Sequence, residues 1–128
     1  MTAPPTHRVA LCDDDQAFRA LVRAVLAREA DISVVGECGD GHQCVERIAA
    51  TQPDAVLLDL DMPRLSGIAA IPKLIDASPA TKIIVVTSQP ARRAEAAVRR
   101  LGASAFVEKS GAELVGRLPQ VLRAALAG

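Results

Sequence analysis

The sequence contains very few aromatic residues and no excess of charge of either sign. Of its 128 residues two are Phe, and Trp and Tyr are absent. Half of the chain is apolar, so a core can form, but it must be built from Val, Ile, Leu and Ala. Fifteen basic residues balance fifteen acidic ones. This balance argues against a nucleic-acid or membrane surface that is driven by net charge.

The sequence also lacks the apolar runs and cysteine spacings that mark other classes of protein. No apolar run approaches the roughly 20 residues that cross a bilayer, and the N-terminus has no apolar signal core. We therefore expect a cytoplasmic protein without membrane contact. The cysteines, Cys12, Cys38 and Cys44, have no CxxC spacing. We expect reduced thiols in or near the core rather than a disulfide or a metal site.

Short β-branched runs alternate with helical patterns along the whole chain. Strands are predicted over residues 8–12, 32–37, 55–58, 82–87 and 105–108. Most of these runs are continuously apolar, which is typical of parallel strands covered on both faces. Five strands, each followed by a helix, predict an α/β fold with a flavodoxin-like, doubly wound parallel sheet in the order 2-1-3-4-5 and five helices.

The chain reads as one domain over residues 7–128, preceded by a flexible tail over residues 1–6. In the first helical segment an apolar stripe is predicted from the i, i+3, i+4 spacing of Phe18, Leu21, Val22, Val25 and Leu26. Pro72 and Pro119 lie inside the third and fifth helical segments. Each is expected to kink or break its helix, because an interior Pro removes a hydrogen bond. Pro119 would then begin a new turn, whereas Pro90 suits the start of the fourth helix.

Polar residues cluster at the predicted carboxyl ends of the strands. The acidic residues Asp13, Asp14 and Asp15 follow the first strand, and Asp59 and Asp61 follow the third; Thr87 and Ser88 end the fourth, and Lys109 ends the fifth. In an open parallel sheet, ligands bind at the carboxyl ends of the strands where the strand order reverses. In the predicted order this point lies between the first and third strands, so Asp13, Asp14 and Asp59 should converge there.

This combination of side chains suits phosphoryl chemistry. Several carboxylates in one crevice repel each other unless a cation is present, and Mg²⁺ prefers oxygen ligands. A bound Mg²⁺ would neutralise an incoming phosphoryl group for attack by a carboxylate. Lys109 would supply a second positive charge, and the Thr87 hydroxyl would donate a hydrogen bond. Taken singly, Asp13–Asp15 read as helix caps and Lys109 as a solvated side chain.

Four segments together resemble the receiver domains of two-component response regulators, and in particular the NarL/LuxR-like subfamily. The segments are VALCDDD (residues 9–15), VLLDLDMP (56–63) with Gly67, IVVTS (84–88) and GASAFVEK (102–109). They fall in the family's order and spacing, and the resemblance covers the chain from about residue 8 to residue 127. It implies a signalling domain of a phosphorelay rather than an enzyme with a turned-over substrate.

The resemblance also implies a role for each matching residue. Asp59 would be the phospho-acceptor, Asp13 and Asp14 would bind Mg²⁺ with Asp59, and Asp61 would lend its backbone carbonyl to the metal. Lys109 would contact the phosphoryl group, and Thr87 would move toward it on activation. Phe106 would be the aromatic switch residue, although it reads equally well as a packing residue. Asp61 and Gln89 occupy positions that tune phosphoryl lifetime in this family.

The partners follow from the same resemblance. A histidine kinase or a histidine phosphotransfer protein would donate the phosphoryl group. Output would pass through the face formed by the fourth helix, the fifth strand and the fifth helix, as a homodimer or toward a target. If the chain is a fragment, a DNA-binding output domain is implied, since Ser110-Gly111 after Lys109 is typical of that subfamily. The arginines of the fourth helix otherwise read as a solvated face.

Three alternatives remain open from the sequence. A haloacid-dehalogenase-type phosphatase also uses a DxD motif, as in Asp59-Leu60-Asp61, but the chain has no room for its extra strands and Asp13-Asp14 would be unexplained. A receiver-like interaction module that no longer accepts phosphate would not need the complete polar set. A flavin binder would need a phosphate-binding Ser/Thr-Gly loop after the first strand, which is absent.

Overall fold

A computed structural model describes residues 7–110 and 113–127. Strands and helices alternate along the chain in the order β1 (His7–Cys12), α1 (Gln16–Leu26), β2 (Ile32–Cys38), α2 (Gly41–Thr51), β3 (Ala55–Leu58), α3 (Gly67–Ala77), β4 (Lys82–Thr87), α4 (Ala91–Leu101), β5 (Ala105–Glu108) and α5 (Glu113–Ala127). Within these residues no helix has the length and apolar character needed to cross a membrane. The tail predicted over residues 1–6 lies outside the described residues and stays a prediction.

The five strands form one parallel sheet in the order β2-β1-β3-β4-β5. This confirms the predicted flavodoxin-like fold with its reversal of strand order between β1 and β3. Three strands have the predicted bounds; β1 begins one residue earlier, at His7, and β2 ends one residue later, at Cys38. The prediction is accurate because strands covered on both faces are continuous apolar runs.

Helices cover both faces of the sheet and enclose two apolar clusters. One face carries α1 and α5, whose buried side chains Val22, Leu26, Leu118 and Leu122 pack against β1, β3 and β4. The other face carries α2, α3 and α4, with Ile48, Leu74 and Val98 among its buried residues. Both faces of the sheet are therefore covered by apolar side chains. Polar side chains gather at the ends of its strands.

Side-chain caps fix where three of the helices begin. Asp15, Asp40 and Ser66 precede α1, α2 and α3, and their side-chain oxygens accept hydrogen bonds from the amides of Phe18, Gln43 and Ala69. Each bond satisfies an amide that has no partner inside the helix, which stabilises the helix by about 1 kcal/mol. All three helices begin at the edge of the sheet where the strands end, so the caps hold the loops of that edge in place.

The predicted apolar stripe of α1 is wrong at one position. Val22 and Leu26 are buried, and Phe18 and Val25 pack against the same cluster, but Leu21 is 50% exposed. Leu21 lies at the margin of the stripe, where the helix turns away from the sheet. Helical periodicity gives the direction of the buried face but not its width.

The predicted breaks at Pro72 and Pro119 are also wrong, because α3 and α5 run through both prolines. A kink, the other outcome expected at each proline, stays a prediction. Pro72 lies on the exposed side of α3, and the carbonyl four residues earlier belongs to Ile68, which is 38% exposed. Water can bond that carbonyl in place of the missing amide. Pro119 is buried, so burial of its apolar ring offsets the lost hydrogen bond. Pro90 lies directly before the first residue of α4, as predicted.

The expectation of three reduced thiols is wrong as well. Cys38, the last residue of β2, forms a disulfide with Cys44 in α2, and Cys12 is a free, buried cysteine. The two paired residues are six positions apart, and their Cα atoms lie 5.6 Å from each other. This distance is within the range that a disulfide spans. The turn between β2 and α2 brings the residues together, and no cysteine spacing motif signals such a turn.

Candidate functional site

The site begins where β1 and β3 end side by side. Cys12, the last residue of β1, pairs in register with Leu58, the last residue of β3. Asp13 and Asp59 are therefore the first residues beyond two neighbouring strands. The amide of Asp59 donates a hydrogen bond to the Cys12 carbonyl at 2.9 Å, which continues the strand pairing by one residue. The strand order that buries the core thus also places two carboxylates next to each other.

Three carboxylates converge at this point, as the sequence predicts. Each of Asp13, Asp14 and Asp59 offers an oxygen, and these oxygens lie within 4.8 Å of one another. Asp13 and Asp59 are both 5% exposed, whereas Asp14 is exposed. A cluster of oxygen donors that is buried on one side and open on the other fits a hard cation that keeps some of its water, such as Mg²⁺.

Lys109 brings a positive charge to the same place. Its Nζ lies 2.6 Å from Asp13 Oδ2 and 3.4 Å from Asp59 Oδ2. The ammonium also lies over the ring of Phe18, 4.3 Å from its centroid. Burial lowers the pKa of Lys109, but its hydrogen bond to Asp13 and the charges of Asp13 and Asp59 outweigh this and raise the pKa above its ordinary value. Lys109 is therefore a fixed cation at the carboxylate cluster.

The environment of Asp59 disfavours its charged form. Burial raises the pKa of this carboxyl group above its usual range; the charge of Lys109 lowers it, and the charge of Asp13 raises it again. One oxygen of Asp59 accepts a hydrogen bond from the amide of Asp61 at 3.3 Å. A hydrogen bond from the Thr87 side chain also lowers this pKa. Asp59 is thus a buried carboxylate in contact with an amide, a hydroxyl and an ammonium, and the effect of burial on its pKa exceeds theirs.

The remaining predicted residues border this cluster. Thr87 is fully buried, and its hydroxyl oxygen accepts a hydrogen bond from the amide of Gln89 at 3.3 Å. The side chain of Gln89 reaches across to Asp61, with Nε2 donating to Oδ1 at 2.8 Å. The loops after β3 and β4 are thereby joined above Asp59. Phe106 lies on β5 beside Val85 and packs against the cluster between the sheet and α2–α4.

A glycine allows the loop after β3 to fold back onto Asp59. The amide of Gly67, the first residue of α3, donates to the Leu60 carbonyl at 2.9 Å. A Cβ atom at position 67 would lie 2.2 Å from the carbonyl oxygen of Asp59, a distance at which backbone must move. Gly67 therefore permits the close approach that fixes the Asp59 backbone, which explains why it belongs with the DLDMP segment.

Three contacts of the site are not evident from the sequence. Phe18 belongs to the apolar stripe of α1, and only the fold brings it under Lys109. Arg19 donates to the carbonyl of Asp13 and forms an ion pair with Glu37 at 3.3 Å. The carboxylate of Glu108, directly before Lys109, accepts a hydrogen bond from the amide of Ala91, the first residue of α4. The sequence holds one signal for the last contact: Pro90, before α4, has no side chain that can accept a hydrogen bond, so the first amide of α4 needs an acceptor from elsewhere.

Comparison with known proteins identifies the family that carries this arrangement. The family described as the response regulator receiver domain matches residues 9–118, which include every strand end described above. The chain belongs to this receiver family. Receivers of this family serve two-component signal transduction. The clustered carboxylates and the lysine of this chain are consistent with that family. The predicted family assignment is thus confirmed.

Relatives and solved structures agree with this assignment. The chain is 43% identical over 81 residues to an uncharacterized transcriptional regulatory protein, YxjL, of Bacillus subtilis, covering 63% of this chain and 37% of that protein. It is 33% identical over 121 residues to a protein-glutamate methylesterase/protein-glutamine glutaminase of Maricaulis maris, covering 91% of this chain and 29% of that protein. The chain therefore spans little more than a third of these relatives at most.

Among solved structures, the receiver of Thermotoga maritima CheB superposes with a TM-score of 0.87 at 27% identity, covering 96% of this chain and 98% of that one. The receiver of the putative response regulator NarL from Mycobacterium tuberculosis gives a TM-score of 0.83 at 28% identity, covering 95% and 98%. Structural neighbours thus include the NarL/LuxR type of receiver that the sequence predicts.

Proposed function

We propose that this domain accepts a phosphoryl group on Asp59 in a Mg²⁺-dependent reaction and then changes conformation to signal to a partner. The observation that carries the proposal is the meeting of three carboxylates within 4.8 Å, with an ammonium 3.4 Å from Asp59. A structural ion pair would need one carboxylate. The additional acidic groups raise the electrostatic cost of the site and are explained by a ligand that brings positive charge.

In the proposed reaction an oxygen of Asp59 attacks the phosphorus of a phosphohistidine. The phosphorus–nitrogen bond of the donor breaks, an acyl phosphate forms on Asp59, and the histidine ring leaves with the bonding electrons and takes up a proton. Lys109, already 3.4 Å from Asp59, stabilises the negative charge on the transferred group. Burial raises the pKa of Asp59, which makes its carboxylate more basic and a better nucleophile once a cation holds it ionised.

The carboxylates of Asp13, Asp14 and Asp59 fit a magnesium ion. The resemblance to receivers adds the backbone carbonyl of Asp61 as a further ligand that would hold this ion. Such an ion supplies charge neutralisation for the phosphoryl oxygens and alignment for in-line attack. Asp13 is also held at 2.6 Å by Lys109. Lys109 and the ion would therefore share the negative charge of the same carboxylate, and both would be needed to bring a phosphoryl group to Asp59.

The conformational response would run from Thr87 on β4 to Phe106 on the neighbouring edge strand, β5. Thr87 is buried beside Asp59, and its hydroxyl oxygen accepts a hydrogen bond from the amide of Gln89. A hydrogen bond from the Thr87 side chain also lowers the pKa of Asp59. The Thr87 hydroxyl would move toward the new phosphoryl oxygens, and Phe106, which is half-buried, would fill the space behind it. The moving residues lie on β4 and β5, next to α4.

We infer the partners from the same chemistry. A histidine kinase or histidine phosphotransfer protein in the cytoplasm would donate the phosphoryl group, and the face of α4, β5 and α5 would carry output. This face would support a homodimer or, in a longer protein, dock a DNA-binding output domain. The exposed arginines of α4 give it a positive charge that an acidic partner surface would match. The domain would promote its own phosphorylation and dephosphorylation and no other reaction.

The test is incubation of the chain with acetyl phosphate and Mg²⁺, followed by intact mass and peptide mapping. We expect one phosphoryl group per chain, located on Asp59 and absent when Mg²⁺ is chelated. Asp59→Asn should remain unmodified. Asp76→Asn is the matched control, because Asp76 is an exposed aspartate on α3, and this variant should react like the parent.

The same experiment separates the alternatives. Labelling at another residue, or labelling that persists under chelation, contradicts the proposal. Steady release of inorganic phosphate from many ester substrates, without a labelled chain, would identify a DxD phosphatase. No mass change in the parent under any of these conditions would leave a receiver-like interaction module as the function.

A further inference from the structure

The three cysteines of the chain lie together beneath the carboxylate cluster. Cys12 ends β1, Cys38 ends β2 and Cys44 lies in the first turns of α2. All three are buried, and their sulfur atoms lie within 4.8 Å of one another. Cys38 and Cys44 form the disulfide, and the sulfur of Cys12 is 3.0 Å from that of Cys38. The chain thus places all three of its cysteine side chains in one cluster.

The backbone of these cysteines holds the residues of the site. The Cys38 carbonyl accepts a hydrogen bond from the amide of Asp13 at 3.0 Å, and the Cys12 carbonyl accepts one from Asp59 at 2.9 Å. Arg19 strengthens the first contact, since its Nη1 donates to the carbonyls of Asp13 and Cys38. A shift at the end of β2 would therefore be transmitted directly to Asp13.

The other end of the disulfide is anchored against the loop after β3. Asp40 caps α2, and a Cβ at Gly41 would lie 2.0 Å from the carbonyl oxygen of Leu65, so α2 begins in close contact with that loop. The bond from Cys38 to Cys44 closes the turn between β2 and α2. It thereby limits how far the start of α2 can move away from the loop that follows Asp59 and Asp61.

We propose that Cys38 and Cys44 are a redox-modification site that sets how readily Asp59 accepts a phosphoryl group, an inference that rests on the proposed function. The reactant is a small-molecule disulfide of the glutathione class. A thiolate of the pair attacks it and releases one small thiol; the second cysteine attacks the mixed disulfide and releases another. The two protein thiols lose two electrons and two protons, which the small disulfide gains. Reduction by the small thiol reverses both steps.

The oxidised pair favours the arrangement in which the carboxylates converge. The reduced pair frees the turn between β2 and α2, which loosens the hold of the Cys38 carbonyl on Asp13. Coupling between two sites through such a contact changes affinity by about fivefold or more. Because Cys38 and Cys44 are buried, the exchange requires local opening of α2 and should take minutes to hours.

The experiment equilibrates the full chain in native buffer over a series of reduced-to-oxidised glutathione ratios. Free thiols are counted by maleimide mass labelling after rapid denaturation. We expect one thiol per chain at the oxidised end and three at the reduced end, since the chain has three cysteines. Each sample then receives acetyl phosphate and Mg²⁺. At Mg²⁺ and acetyl phosphate concentrations below saturation, where the rate follows binding, the oxidised form should incorporate the phosphoryl group about fivefold faster than the reduced form.

Two variants separate the disulfide from a general effect of sulfur chemistry. Cys44→Ala should react at the rate of the reduced form under all glutathione ratios. Cys12→Ala should keep the dependence on redox state, because Cys12 is not part of the disulfide. The comparison of the oxidised and reduced parent chain tests the proposal without any substitution, so the test remains even if a variant fails to fold.

Distinct outcomes overturn the redox proposal and the proposed function. If the redox state changes the thiol count but both forms are phosphorylated at the same rate, the redox proposal fails and the function stands. Three free thiols at every ratio also overturn it, as does stoichiometric zinc or copper retained by the reduced chain, which would make the cysteines a metal site. If neither form accepts a phosphoryl group, the proposed function fails and the redox control fails with it.

Discussion

At the scale of single residues, Asp59 combines burial with charged neighbours of both signs. The residue is 5% exposed, and the ammonium of Lys109 lies 3.4 Å from its carboxylate and 2.6 Å from that of Asp13. Burial raises its pKa above the value near 3.8 that it has in an unfolded chain. Between the unfolded and folded pKa values the native state binds more protons than the unfolded state, so stability falls as the pH rises through this range.

We therefore predict that Asp59→Asn stabilises the chain near pH 7 by about 1 kcal/mol. The gain should disappear as the pH falls below the unfolded pKa, where the parent carboxyl group is neutral in both states. Lys109 keeps Asp13 as a partner at 2.6 Å in the variant. Urea unfolding in the presence of EDTA, followed by circular dichroism at several pH values, measures both effects.

The control for this prediction is Asp76→Asn, because Asp76 is exposed on α3 and away from the cluster. Its stability should follow that of the parent at each pH. A destabilised Asp59→Asn variant near pH 7 would mean that the contact with Lys109 outweighs the burial of the charge, contrary to the raised pKa of Asp59.

At the scale of elements, the loops after β3 and β4 are tied together by one side-chain hydrogen bond. Gln89 Nε2 donates to Asp61 Oδ1 at 2.8 Å, above Asp59. We predict that Gln89→Ala shortens the lifetime of phosphorylated Asp59 by roughly threefold, because water then reaches the phosphoryl group more easily. Loss of the phosphoryl mass after removal of acetyl phosphate measures the lifetime.

Two further variants sharpen this test. Asp61→Asn keeps the size of the side chain and changes its charge, and it should also alter the dephosphorylation rate. Gln43→Ala is the control, since Gln43 is an exposed glutamine on α2. Unchanged lifetimes in both Gln89→Ala and Asp61→Asn would show that the link between the loops does not protect the phosphoryl group.

The elements also show where the sequence is a sufficient guide. Strands β3, β4 and β5 have the predicted bounds, because a strand buried on both faces must be apolar at every position. Helix α5 runs through Pro119 although a break was expected. The penalty of an interior Pro is local, whereas the burial that offsets it depends on tertiary packing, which propensity does not contain.

At the scale of the whole molecule, Arg123 connects the last helix to the segment between α1 and β2. Its guanidinium group, on α5, donates to Asp31 at 2.7 Å and to Glu29 at 2.8 Å, in the segment between α1 and β2. The hydrogen bond from Arg123 lowers the pKa of Asp31 to about 2. This contribution to stability is present above the unfolded pKa of 3.8 and is lost as the pH falls through about 2.

We predict that Arg123→Gln lowers the melting temperature near neutral pH and that the difference from the parent narrows as the pH falls from about 4 toward 2. The difference narrows because Asp31 becomes protonated at low pH and no longer forms an ion pair with Arg123 in the parent. Arg117→Gln, an exposed arginine on the same helix, is the control. Melting curves over this pH range, at low salt, measure the effect; a constant difference between Arg123→Gln and the parent would contradict it.

The candidate site was largely accessible from the sequence because topology alone brings strand ends together. Asp13, Asp14, Asp59 and Lys109 meet as the strand order requires. The contact of Phe18 with Lys109 and the disulfide could not be predicted from the sequence, for a different reason. Their contacts depend on how a helix turns relative to the sheet and how tightly a turn closes, and neither quantity is encoded by spacing along the chain.

The contact between Glu108 and α4 has a consequence for the path of a signal. Glu108 holds the first amide of α4, and its neighbour in the chain is Lys109, whose ammonium contacts Asp59. The residue that contacts Asp59 and the residue that contacts the start of α4 are therefore joined by a single peptide bond. If Asp59 accepts a phosphoryl group as proposed, a displacement of Lys109 would reach the start of α4 through the backbone of β5 and not through the core.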